Sequence, residues 1–300
     1  MALPQLPALV VLRDVGPRDG LQPEAPRTVE ERVALISALV DAGVHRIEVA
    51  AFVSPKAVPA MAGAAEVLAF APRHTIVRYS ALVPNVRGAE LALETDVDEL
   101  TVTMSMSEAY NQRNVHRSIE ESLADVEAIC ALAGDIPVDA VISCAFGSPY
   151  EGDISPREVG AMVQRLRELG ASAVTCADTT GMATPRRIEE VLSRTGTDVG
   201  LHLHETRGTG LVNAFAAMQL GVDRFDTSIG GLGGSPFAAG AAGNLATEEL
   251  VAVLDDLNVR TGIDLDALLH AAEVAQSLVD HPLPSRVATA GPRTRLAGGA

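Results

Sequence analysis

Hydrophobic and polar positions alternate along this chain on two length scales. Short apolar, often β-branched runs at 9–12, 45–50, 75–82, 99–103, 138–143, 173–176, 199–203 and 224–227 predict strands. Longer stretches with helical spacing lie between them. The clearest spans 28–42, where Thr28 at the N-cap and Glu31 three residues on form a capping box, and Gly43 ends the run. Others centre on 56–70, 85–94, 118–133, 156–169, 185–194 and 209–220, several closed by glycine, as at Gly134, Gly170 and Gly221. Two further helices are expected within 246–280, and 281–300 reads as a mobile tail containing Pro, Gly and Arg. Eight strands alternating with helices predict an all-parallel sheet. Their number and the chain length favour one closed (β/α)8 TIM barrel over a doubly wound sheet. No linker or composition shift divides it, so 1–280 is expected to be a single catalytic domain with extra C-terminal helices.

Composition narrows the function. A hydrophobic fraction of 47% is ample for a large core, and with no Trp and 3% aromatics that core must be Ala, Val, Leu and Ile. Such residues suit parallel strands buried on both faces. A net charge of −16 argues against nucleic acid, which needs a basic field, but leaves room for an anionic small molecule met by a few arginines. Cys130, Cys144 and Cys176 show neither a disulfide framework nor metal spacing, so buried free thiols in a reducing interior are expected. The apolar N-terminus has no basic residue before Arg13 and is broken by proline, unlike a signal peptide. No run of eighteen apolar residues suggests a membrane span, and cytoplasm is the expected location.

The candidate chemistry clusters where strands end. Successive strand side chains alternate faces, so His202 and His204 project from one side. They are either half of a metal site or a hydrogen-bonded pair of core histidines. In a barrel the chemistry sits at the C-terminal ends of strands. There the first strand runs into Arg13-Asp14-Val15-Gly16-Pro17-Arg18-Asp19-Gly20, the second holds Glu48, and the sixth leads to Asp178-Thr179-Thr180-Gly181. The eighth leads into a loop with six glycines between Gly230 and Asn244. Asp19 is the candidate carboxylate and Asn244 the candidate amide of a mixed N/O metal set, suited to Mg2+ or Mn2+ more than to zinc. Arg18 beside that metal could stabilise an oxyanion or enolate.

These blocks give the chain its family likeness. It resembles the 3-hydroxy-3-methylglutaryl-CoA lyases, within the metal-dependent barrel lyases and Claisen-type synthases, over nearly its whole length. The resemblance rests on Val15-Gly16-Pro17-Arg18-Asp19-Gly20-Leu21-Gln22, Phe52-Val53-Ser54-Pro55-Lys56, Ser118-Ile119-Glu120-Glu121-Ser122, Ser148-Pro149-Tyr150-Glu151-Gly152 and Gly231-Leu232-Gly233-Gly234, continuing to Gly240-Ala241-Ala242-Gly243-Asn244-Leu245-Ala246-Thr247-Glu248. It implies C2–C3 cleavage of a 3-hydroxyacyl-CoA carrying a distal carboxylate. The divalent metal would be held by Asp19, His202, His204 and Asn244, and the enolate stabilised by Arg18. Glu48 and Asp178 would act as pocket or proton-transfer residues, with His202 closest to the proton chemistry.

Two departures bear on substrate and rate. The family loop reads Gly-Gly-Cys-Pro with a proton-transfer cysteine, where this chain has Ser235, a far weaker acid than a thiol titrating at about 8.5. Glu205-Thr206-Arg207-Gly208 replaces Asp-Thr-Tyr-Gly, and Arg207 is either a solvated loop residue or a contact to a substrate carboxylate or CoA phosphate. The expected reaction converts 3-hydroxy-3-methylglutaryl-CoA to acetyl-CoA and acetoacetate. Alternatives are a lyase for another thioester such as citramalyl-CoA, or a metal- and acyl-CoA-binding protein impaired by Ser235. A condensing synthase fits less well. Pairing through outer helices into a homodimer is compatible with such a barrel.

Other motifs fall short. Gly208-Thr209-Gly210-Leu211-Val212-Asn213 follows a strand but lacks the third glycine of a dinucleotide fingerprint. Gly233-Gly234-Ser235-Pro236-Phe237 lacks the last glycine of a nucleophile elbow. His45, His74, His116, His270 and His281 are expected at the surface or at caps, and Arg113 and Arg117 on a solvated face or against CoA phosphates.

Overall fold

A computed structural model describes residues 6–234 and 243–295. Eight parallel strands close into a barrel in chain order: β1 (Val11–Asp14), β2 (Arg46–Ala51), β3 (Arg78–Leu82), β4 (Glu99–Ser105), β5 (Val138–Ser143), β6 (Ala173–Ala177), β7 (Gly200–His202) and β8 (Arg224–Thr227). The ring closes where Val11 to Asp14 pair in register with Arg224 to Thr227. Around it run α1 (Val29–Asp41), α2 (Ala64–Phe70), α3 (Val86–Leu93), α4 (Glu108–Val115), α5 (Ile119–Ala133), α6 (Pro156–Glu168), α7 (Pro185–Thr195), α8 (Gly210–Leu220), α9 (Thr247–Asp256), α10 (Leu265–Ser277) and α11 (Arg286–Ala290). The expected (β/α)8 barrel with C-terminal helices is therefore present. No helix among the described residues is long and apolar enough to cross a membrane.

The strands sort their residues by period two. Leu12, Ile47, Val49, Leu100, Val102, Ala140, Ile142, Val174, Leu201 and Phe225 are buried in the layer between sheet and helices. The alternate positions face the barrel axis and are largely polar, including Arg13, Glu48, Thr101, Thr103, Asp139, Ser143, Thr175, His202 and Asp226. Barrel interiors are usually filled by branched apolar side chains. This one is not.

Local signals explain most boundaries. Thr28 accepts from the Glu31 backbone while the Glu31 carboxylate accepts from the Thr28 N–H, completing the capping box of α1. Ser118 and Glu121 repeat the device on α5. Helix α4 escaped the periodicity because its strongest signal is the Ser107 cap rather than an apolar stripe. Strand β1 starts two residues later than expected and includes Arg13 and Asp14. Two adjacent charges read as loop, but inside the barrel both find partners. Strand β7 stops at His202. Beyond it the chain pairs with the returning glycine loop, Leu245 N–H donating to the Leu203 carbonyl at 2.9 Å and His204 bridging Asn244.

Candidate active site

Between β1 and α1 the chain makes a single π-helical turn, Gly16–Gly20, in which the Leu21 N–H donates to the Gly16 carbonyl at 2.9 Å. Such wide turns re-aim side chains and recur at functional sites. This one turns Arg18 and Asp19 into the barrel mouth. It packs closely against the turn after β8, where a Cβ on Gly16 would lie 2.7 Å from Ile229 Cγ2. The Arg18 guanidinium grips Glu48 Oε2 from β2 and donates to Asp19 Oδ1 at 2.7 Å.

From β7, two strands from β1 around the ring, and the residues just after it come the two histidines. Their ring centroids are 5.2 Å apart and the two Nε2 atoms face each other at 3.2 Å. His202 Nδ1 lies 3.2 Å from Asp226 Oδ2. Asn244 donates from Nδ2 to Asp19 Oδ2 at 2.8 Å and to the Leu232 carbonyl at 2.9 Å. A cavity of about 120 Å³ opens among Arg18, Asp19, Glu48, His202 and His204, with Thr103, Tyr110, Ser143 and Thr179 on its walls.

This donor set fits a divalent cation. One ligand atom each from Asp19, His202 and His204 lies within 4.8 Å of the others. The two Nε2 atoms are within hydrogen-bond distance of each other at 3.2 Å, a separation that two ligands of one cation can also have. Asn244 Oδ1 is buried with no hydrogen-bond partner, which leaves a neutral oxygen donor next to Asp19. Carboxylate, imidazole and amide together suit a borderline-hard ion. Such an ion, when bound, supplies Lewis acidity toward substrate oxygens.

Electrostatics favour the same use at Asp19 and His204. Burial alone would raise the Asp19 carboxyl, but the charges of Arg18 and His202 outweigh it and hold it below its ordinary range. Burial, then the charge on His202, pushes His204 down to about 3, so its ring is neutral and free to act as a ligand. His202 shifts upward: burial disfavours its charge, but the hydrogen bond and charge of Asp226 prevail. Asp178, between cavity-lining Ala177 and Thr179, is raised by burial to about 7. Its Oδ1 accepts from the Met182 and Ala183 N–H groups at 2.7 and 2.8 Å, while Oδ2 is buried and unpartnered. The Asp178 N–H donates to the His202 carbonyl at 2.8 Å, tying the two loops together.

The residues anticipated from sequence thus converge. Arg18, Asp19, Glu48, His202 and His204 share one cavity, Asn244 touches Asp19, and Asp178 abuts His202. Ser235 lies outside the described residues. Arg207 is exposed, and its Nη1 donates to the Thr180 and Gly181 carbonyls at 2.8 Å each, fastening the loop that bears Asp178. Arg113 stacks on Tyr150, and Arg117 pairs with Asp125. Cys144 and Cys176 are buried as expected, whereas Cys130 is only partly covered because α5 turns it toward the surface. The five other histidines are exposed, and His116 ends α4 in the left-handed conformation. Sequence reasoning missed Asp226, and it named Arg13 at the end of the first strand without giving it a role. The available signal for Asp226 was a charge at an inward-facing position inside a short strand.

A closed barrel with a polar interior and, at its C-terminal mouth, three side chains placed so that they could hold a metal ion defines a (β/α)8 enzyme class. Residues 10–275 match the model of the HMGL-like family. The chain is 41% identical to the (R)-citramalyl-CoA lyase of Chloroflexus aurantiacus, over 94% of this chain and 95% of that protein. It is 40% identical to the hydroxymethylglutaryl-CoA lyase of Bacillus subtilis, over 93% and 96%. Among solved structures, an HMG-CoA lyase of A. baumannii in complex with coenzyme A and 3-methylmalate superposes with a TM-score of 0.92 at 40% identity, covering 98% of each chain. The chain belongs to the HMGL-like family.

Proposed function

We propose that this protein is a divalent-metal-dependent carbon–carbon lyase that cleaves 3-hydroxy-3-methylglutaryl-CoA into acetyl-CoA and acetoacetate. The observation that carries the reading is the Arg18 guanidinium. It sits at the cavity between Asp19 of the cation cluster and Glu48, where it can meet negative charge developing on a substrate oxygen. The C3 hydroxyl gives up its proton to a base and becomes a carbonyl. The C2–C3 bond breaks, its electron pair passes to C2, and the resulting thioester enolate takes a proton to become acetyl-CoA. Arg18 would donate hydrogen bonds to the enolate oxygen, an electrostatic term that acts most strongly in a dry, preorganised site.

Asp178 is proposed for the proton work: burial pushes its carboxyl up to about 7, near neutrality, and it sits just behind the wall formed by cavity-lining Ala177 and Thr179. His202 is committed on both ring nitrogens, Nδ1 to Asp226 and Nε2 to the cluster, which supports a ligand role for it. Glu48 holds Arg18 in place. Thr103, Ser143 and Thr179 offer hydroxyls to the polar end of a short acyl group. Mn2+ or Mg2+ is the cation proposed for the mixed N/O set.

A second substrate, citramalyl-CoA, has a specific motive: the chain is as similar to a citramalyl-CoA lyase as to a hydroxymethylglutaryl-CoA lyase. Both thioesters should be offered to the Mn2+-loaded protein and the products identified. Acetoacetate formed with the higher kcat/KM supports the first reading. Pyruvate formed faster than acetoacetate replaces it with the second, and binding of both without turnover replaces it with an impaired binder.

A further inference from the structure

We infer that Arg13 is a positioning residue for the cation cluster: its guanidinium grips both oxygens of Asp226 and so fixes the His202 ring with Nε2 turned toward His204 and Asp19. The inference rests on the reading of Asp19, His202 and His204 as a metal site. Arg13 stands on β1 one residue before the strand's end, facing the barrel axis and buried. Its Nε donates to Asp226 Oδ1 at 2.8 Å and its Nη2 to Asp226 Oδ2 at 3.0 Å. That second oxygen is the one 3.2 Å from His202 Nδ1. A carboxylate held on both oxygens by a planar fork cannot rotate about its own axis. Its lone pair therefore stays aimed at the histidine.

The fork is itself held from behind. Nη1 reaches Glu99 on β4 at 3.1 Å and Nη2 reaches Asp139 on β5 at 2.8 Å. Thr175 on β6 donates to Asp139 at 2.9 Å, and Arg46 on β2 pairs with the other Glu99 oxygen at 3.1 Å. The floor of the barrel is thus one connected charge network ending on a proposed metal ligand.

Stability alone is a poor account of this network. One buried arginine among three carboxylates pays for desolvation that an apolar layer would avoid, and buried ion pairs are weak stabilisers. What the network provides is orientation. A proton on Nδ1 directed at Asp226 leaves the Nε2 lone pair for a cation, which is how a carboxylate selects the tautomer of a ligating histidine.

The test is metal affinity, measured by calorimetric titration of Mn2+ into the metal-free full-length protein without substrate. Arg13→Lys keeps the charge but not the two-pronged grip. It should fold and weaken Mn2+ binding by roughly ten- to a hundredfold, the usual cost of losing such outer support. Arg13→Met and Asp226→Asn should weaken it as much or more, and combining Arg13→Lys with Asp226→Asn should add little to the worse single change. A folded Arg13→Lys protein with Mn2+ affinity within about twofold of wild type overturns the inference. Should every variant fail to fold, 15N spectra of the wild-type His202 ring in the metal-free protein decide it: a proton on Nδ1 supports the inference, and one on Nε2 overturns it. Wild-type protein with no affinity for Mn2+ would instead sink the underlying metal-site reading.

Discussion

Replacing Gly233 with alanine should disable the cluster while touching none of its proposed ligands by name. Gly233 has φ +105, and a Cβ there would lie 2.5 Å from Asn244 Nδ2 and 3.3 Å from Asp19 Oδ2. Backbone strain accounts for about 1–3 kcal/mol. The larger consequence is steric, because the Asn244 amide must leave its hydrogen bonds to Asp19 and Leu232, worth about 1 kcal/mol each. With the amide displaced, Mn2+ affinity should fall at least as far as the ~10–100-fold seen when a ligand's support is lost. Gly262→Ala separates the two effects, since Gly262 has φ +80 but open space around its missing Cβ. Calorimetric Mn2+ titration, with thermal melts alongside, should show both variants losing stability but only Gly233→Ala losing metal affinity. Wild-type affinity in Gly233→Ala would refute the placement of Asn244 in the site. Equal loss in both variants would refute the steric argument.

Further outcomes follow from the same geometry. Arg18→Met should lower kcat by about 10²–10³, the usual cost of removing one oxyanion-stabilising donor, and steady-state kinetics with acetyl-CoA detection would expose an unaffected enzyme. Asp178→Asn should abolish the rise of activity with pH through about 7 that an Asp178 base predicts, so an unchanged pH–rate profile in that variant would exclude this base. Glu248, raised chiefly by burial from 4.5 to about 7, is neutral in the native state where the unfolded chain is ionised. The native state then binds more protons between those values, so its contribution to stability falls as pH rises through that window. That amounts to about 3 kcal/mol in all. Glu248→Gln should therefore gain stability relative to wild type from pH 5 to pH 8 in urea titrations, and a constant difference would contradict the assignment.

Much of this site was legible before the fold was known, and the reasons are physical. Side-chain alternation alone places His202 and His204 on one face, and the barrel rule puts Asp19, Glu48 and Asp178 at the same mouth. Asn244 could be proposed as an amide ligand, yet its approach to Asp19 depends on a loop returning 225 residues later in the chain. The pairing of Arg13 with Asp226 was invisible for a different reason. Charges in short apolar strands look like strand ends, and only barrel closure, pairing Arg13 with Asp226 across β1 and β8, shows that they neutralise each other inside. Arg207 shows the limit of motif comparison. Its departure from the family pattern left a solvated loop residue and a contact to a substrate carboxylate or CoA phosphate equally open, and the structure shows an exposed side chain whose hydrogen bonds hold the Asp178 loop.

The most direct test is release of acetyl-CoA from 3-hydroxy-3-methylglutaryl-CoA by the purified protein, followed before and after metal removal. The account predicts one acetyl-CoA and one acetoacetate per thioester consumed, loss of activity with chelator, and recovery on adding Mn2+. Turnover that survives complete chelation, or metal-loaded protein that leaves the thioester intact, would contradict it.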